Sequence, residues 1–244
     1  MTKTLRTISY AAALSIGMGT IASAQSLATF GSAEVAGFGE GSALIGTSLS
    51  SGHQGWGPVA NLVAQTYRYQ NGANAHAQAY AISPSIGLQN TMPEGSINAM
   101  LGYTFVSTEF AGIVTGAEQG GKNGAFMSAQ GNYWGTGENS AQVIGSYGFA
   151  SEYYWTRFRA AHRLAPSSQP VYVGGELVLQ GSQKTQTIGT FTTPTQFRYE
   201  VGPTIEYRIS PEFRIGASAG FRGGNNNAAN SGYARIEFLT LTKL

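Results

Sequence analysis

The chain has 244 residues, a formal net charge of +2 and only 11% charged side chains, set against 34 glycines and no cysteine. Every acidic residue is a glutamate, and the absence of aspartate removes the usual ligand set of calcium loops and of most metal-assisted hydrolases. Without cysteine an exported chain needs a staple other than disulfides, and a closed barrel, in which every strand is paired, supplies one.

At the N-terminus, Lys3 and Arg6 precede an apolar, small-residue stretch from Ile8 to Ile21, then Ala22-Ser23-Ala24 before Gln25. This layout predicts a cleaved secretory signal peptide over residues 1–24, leaving 25–244 as one outer-membrane β-barrel. The positive excess belongs to that leader, because removing Lys3 and Arg6 leaves 12 basic residues against 12 acidic ones. A basic surface for nucleic acid is therefore not implied. After the leader, no apolar run reaches the roughly 18 residues of a membrane helix.

Turn signals divide the mature chain into about twelve predicted strands, with ten as the alternative. They are 33–49, 56–69, 77–90, 96–106, 109–119, 125–134, 140–151, 153–164, 171–182, 196–209, 213–222 and 232–241. Pro84 inside the third run predicts a bulge or an interrupted ladder. An even count puts both termini on the periplasmic side. The outward loops are then 50–55, 91–95, 120–124, 151–153, 183–195 and 223–231, of which 183–195 and 223–231 are candidate contacts for polymer or secretion partners.

The clearest strand is the tenth. Phe197, Tyr199, Val201, Pro203, Ile205, Tyr207 and Ile209 alternate without a slip with Arg198, Glu200, Gly202, Thr204, Glu206 and Arg208. One face is apolar and the other carries four charges, over a length that exceeds the roughly 5–6 residues of a soluble strand. A tilted membrane strand needs about 9–11 residues. The predicted fold class is all-β: a transmembrane, antiparallel, up-and-down β-barrel.

The same alternation directs Arg157, Arg159, Arg163, Glu176, Arg198, Glu200, Glu206, Arg208, Arg214, Arg222, Arg235 and Glu237 into the lumen, along one wall. Two readings of that wall stand. Arginine forks suit a track for a polyhydroxylated or anionic chain, whereas interleaved Arg and Glu also neutralise each other and plug a narrow lumen. The interleaving favours the ion-pair plug.

Tyr133 and Trp134, with Tyr153, Tyr154 and Trp155, fall near predicted strand ends and are read as a girdle at the membrane interface, with a carbohydrate-stacking platform as the alternative. His53, His76 and His162 are separated, and no His/Glu spacing resembles a zinc site. A rim-embedded lipid hydrolase would require Ser50 or Ser51 beside His53 on the outward side, and adjacent loop residues of these types are common by chance. Gly37-Phe38-Gly39-Glu40-Gly41 is read as strand glycines and Gly120-Gly121-Lys122 as a turn, since neither precedes a helical pattern. No catalytic residue, metal or cofactor is predicted.

Leu101-Gly102-Tyr103, Tyr154-Trp155-Thr156-Arg157, Tyr172-Val173-Gly174-Gly175-Glu176, Phe197-Arg198-Tyr199-Glu200-Val201-Gly202 and Ser218-Ala219-Gly220-Phe221 occur in that order. This set resembles the BcsS family of cellulose-biosynthesis accessory proteins, which carry a signal peptide and a predicted outer-membrane barrel. The resemblance implies a non-enzymatic role in making, exporting or anchoring bacterial cellulose or a related exopolysaccharide. The expected partners are outer-membrane lipid, the glucan and polysaccharide secretion proteins, and the barrel is expected to be monomeric. A channel for oligosaccharides or small anions is the alternative that the arginine rows suggest.

Overall fold

The computed structural model describes residues 26–70, 76–111, 123–134, 137–164, 170–182, 186–188, 191–193, 196–225 and 230–244, and the leader assigned to 1–24 lies outside them. In chain order the strands are β1 (Ser26–Ala36), β2 (Gly41–Ser50), β3 (Gly55–Gln70), β4 (His76–Met92), β5 (Gly95–Ala111), β6 (Gly124–Tyr133) and β7 (Asn139–Gly148). They continue as β8 (Tyr153–Arg163), β9 (Val171–Ser182), β10 (Gln186–Ile188), β11 (Phe191–Thr193), β12 (Gln196–Arg208), β13 (Phe213–Gly224) and β14 (Ser231–Lys243). Twelve of them close into one antiparallel up-and-down barrel, β1 pairing with β14, while β10 and β11 form a separate hairpin between β9 and β12. Followed from strand to strand, the register returns to β1 about 14 residues further along, which for twelve strands sets a tilt of about 40° and a backbone radius of about 12 Å.

The count of twelve agrees with the sequence, but two boundaries differ and cancel. The span 33–49 is parted between β1 and β2 by a 3-10 turn at Gly37–Gly39, in which Phe38 takes φ 62° and Gly39 φ 72°. A left-handed phenylalanine is uncommon, so glycines that read as part of a strand in fact reverse the chain. Conversely, 96–106 and 109–119 are one strand, β5, as far as Ala111, beyond which 112–122 lie outside the described residues.

These two differences invert the ends in the first half. The connections 51–54 and 93–94 lie at the end that holds Ser26 and Lys243, here the terminal end. The expected outward loops 50–55 and 91–95 are thus on the terminal side, and His53 with them. The connections 37–40, 112–123, 149–152, 183–195 and 225–230 join strands at the opposite, far end, where β4 also begins at His76. The merged β5 restores the register, so every later loop keeps its assigned end.

Pro84 and Pro203 both stand inside strands. β4 skips Ser83 and Pro84 in its pairing with β5, and β12 skips Gly202 and Pro203 in its pairing with β13, yet the register is the same on either side of each gap. A proline without N–H interrupts the ladder there and inserts no bulge.

Alternation gives the barrel an apolar outside. Ile86, Leu101, Val35 and Ile236 are each about two-thirds exposed, and Phe158, Val201, Ile205, Ile215 and Phe221 are exposed as well. Glu176, Glu200, Thr204, Ser218, Arg222 and Arg235 are buried on the inner face. A water-soluble chain does the reverse, so this outer surface has lipid as its solvent.

Candidate functional site

Among the described residues of the barrel strands, every inward charge stands on six neighbouring strands: β8, β9, β12, β13, β14 and β1. The inward positions of β2 to β7 are neutral. Arg68 and Glu109, the charged residues of that half, stand on the outer face near the far end, each aligned through Gln78.

Arg235 is the centre of the charged half. Its Nη1 donates to Glu176 Oε1 at 2.8 Å, its Nη2 to Glu200 Oε2 at 2.5 Å and its Nε to Glu34 Oε2 at 2.8 Å. Arg222 donates from Nε to Glu200 Oε1 at 2.9 Å and from Nη1 to Glu40 Oε2 at 3.1 Å, and its Nη2 meets Glu34. Arg198 closes on Glu40 at 2.9 Å. On the other side Arg159 donates to Glu176 Oε2 at 2.7 Å and also meets Glu237, to which Arg157 donates at 3.0 Å.

Ten charges thus form one connected web, five arginines and five glutamates, each bonded only to the opposite sign within it. Its net charge is zero. Glu200 is 1% exposed and Glu176 4%, a burial that charged carboxylates tolerate only when paired and hydrogen-bonded. A second group lies nearer the terminal end. Glu206 accepts from Arg208 at 2.8 Å and from Arg214 at 3.4 Å, and the Arg208 guanidinium stacks 3.9 Å from the Tyr172 ring centre.

Sequence reasoning missed Glu34 and Glu40, the partners that join Arg198, Arg222 and Arg235. Glu40 lies in the turn that was read as strand, and the neighbouring Glu34 falls in β1, which was merged with β2. A signal for them was present in the predicted wall, which had eight arginines facing four glutamates. A buried surplus of that size needs further carboxylates.

The aromatic residues divide. Tyr133 and Tyr154 stand on the outer face by register, and Trp134 lies in the terminal-end turn, where its Nε1 donates to Pro93 O at 2.9 Å. Tyr153 and Trp155 instead share the inward parity of Arg157, against their expected place in the girdle. The Tyr153 hydroxyl donates to Gln180 Oε1 at 2.5 Å, and Gln180 Nε2 reaches Glu200 at 3.4 Å. His162 pairs with Asn139 at 2.9 Å on the outer face.

The web continues into the neutral half as hydrogen bonds. Arg157 Nη2 donates to Gln142 Oε1 at 2.5 Å, Gln142 Nε2 to Asn132 Oδ1 at 2.9 Å, and Asn132 Nδ2 to Ser96 Oγ at 3.2 Å. Gln130 Nε2 also donates to Asn132 Oδ1, at 3.1 Å. No group of three or more histidine, cysteine, aspartate or glutamate residues among the described residues is placed to hold a metal ion.

The family model for cellulose biosynthesis protein BcsS matches residues 18–241. None of the curated proteins matches the chain. Among solved structures, the β domain of the Bordetella autotransporter Brka is similar with a TM-score of 0.52 and 10% identity, over 89% of this chain and 98% of that one. The translocator domain of autotransporter NalP from Neisseria meningitidis gives 0.48 and 11%, over 93% and 92%. The KdgM porin gives 0.45 and 11%, over 87% and 98%. At such identities the likeness concerns the fold alone.

Proposed function

The chain belongs to the BcsS family of cellulose biosynthesis proteins, and from that membership we propose that it is a non-enzymatic accessory barrel of the Gram-negative outer membrane. It is exported by its leader and inserted as a monomer. Its far end faces outward, and it assists the export or surface anchoring of cellulose at the cell boundary. The described far-end hairpin, β10 with β11, and the β13–β14 connection stand where polymer and secretion proteins would meet it.

The observation that favours an accessory over a conducting porin is the ten-charge web. Each of its carboxylates already accepts from two arginines, so little charge is left to draw an anion through. Arg157 and Glu237 also join strands that are not neighbours, which stiffens the wall rather than lining an open path.

Planar-bilayer recording separates the two roles. The accessory reading expects no steady open-state current from the purified barrel. A steady current whose ion selectivity shifts in Arg198→Ala and Arg208→Ala would instead establish the channel.

A further inference from the structure

The inner wall is split by chemistry, and the neutral half holds a compact amide patch. Ser96, Asn132 and Gln142 stand in one register row across β5, β6 and β7, and Gln89, Asn98 and Gln130 stand in the next row across β4, β5 and β6. The rows are about 7 Å apart, two residues along each strand. All five amides are half-buried, unlike the nearly closed-off Glu176 and Glu200 of the charged half. Arg157 orients the patch by donating to Gln142 Oε1, so the amide nitrogens of Gln142 and Asn132 point on around the wall toward Ser96. Asn98 stands between Gln89 and Gln130, its Oδ1 closed off within the wall and without a hydrogen-bond partner.

We infer that this amide patch, and not the arginine wall, is the face that binds a neutral β-1,4-glucan segment. The inference rests on the cellulose role proposed above and names the surface that serves it. A glucan has no net charge, and each of its hydroxyls both donates and accepts. Primary amides do the same, whereas carboxylates only accept and guanidinium groups only donate. Turning a web carboxylate toward a sugar hydroxyl would exchange a charge-assisted bond for a weaker one and leave a buried arginine short of a partner. The amide patch asks for no such exchange.

The test is calorimetric titration of cellohexaose into the full-length purified barrel in detergent micelles. Saturable binding is expected, weakened at least tenfold in Gln130→Ala/Asn132→Ala and unchanged in the outer-face variant Ile215→Ala. Gln130→Met, which keeps the side-chain size, repeats the loss without emptying the wall. A folded Gln130→Ala/Asn132→Ala barrel that binds as the wild type overturns the patch, as does a wild type that binds hexagalacturonate in place of cellohexaose, or binds neither. The cellulose role is judged separately, by the cell-attached cellulose of a deletion strain. An undiminished level there overturns the role itself, whereas failed binding beside a cellulose defect overturns only the patch.

Discussion

Arg157 of β8 donates to Glu237 of β14 at 3.0 Å, although β9, β12 and β13 stand between these strands in the wall. The bond therefore runs across the curve of the barrel and not along it. Glu237 also takes Arg159, so one carboxylate holds two cations of β8. Glu237→Ala leaves both guanidinium groups short of their partner and is expected to destabilise the barrel by about 3–5 kcal/mol. Urea unfolding in lipid vesicles measures it, and Arg157→Ala/Glu237→Ala should lose less than the sum of the single variants because the two are coupled.

Glu34 and Glu40 both meet Arg222, yet they should differ in weight. Glu34 bonds two buried arginines from within β1, whereas Glu40 lies in the turn that follows and shares its carboxylate with the more exposed Arg198. Glu34→Ala is expected to cost about 3–5 kcal/mol and Glu40→Ala about 1 kcal/mol by the same unfolding measurement.

Adjacent glycines in β9 offer a test of the register. A Cβ at Gly174 would run into the carbonyl oxygen of Ala160, whereas at Gly175 the nearest atom is Gly202 O at 3.7 Å. Gly174→Ala should lower stability by about 1–3 kcal/mol or block assembly, and Gly175→Ala should be tolerated. Heat-modifiable migration on a gel reports both, and a reversed order of effects would mean the strand is turned the other way.

The outer face gives the clearest contrast between lipid and water. Ile205 is 47% exposed, so Ile205→Arg would be almost neutral if water surrounded the barrel. In a bilayer it should cost about 2–4 kcal/mol, falling as the substitution moves toward a strand end. Folding titrations into vesicles measure the difference.

The sequence made β12 legible because its two faces differ in every residue, and the structure keeps that alternation from Phe197 to Arg208. The same logic placed β8, β9, β13 and β14. It failed where the faces are alike. From Ser26 to Ser50 small and apolar residues occur on both sides, and the reversal at Phe38 and Gly39 depends on positive φ angles that glycine-rich composition only permits. Within β5, Ser107, Thr108 and Glu109 imitate a turn but extend the strand. The arginines of the web were visible by alternation. The inward aim of Tyr153 and Trp155 follows from the same alternation, since both share the parity of Arg157 in β8. The partners Glu34 and Glu40 depend on register across distant strands, which a local pattern does not carry.

The cellulose role has one direct measurement: extracellular cellulose, its crystallinity and its attachment to cells, compared between the parent strain, a strain lacking this chain and that strain with the chain restored. A barrel that assists export or anchoring predicts less cell-attached cellulose in the deletion and recovery on restoration. Unchanged amount, crystallinity and adhesion in the deletion would contradict the role while leaving the barrel and its ion-pair web intact.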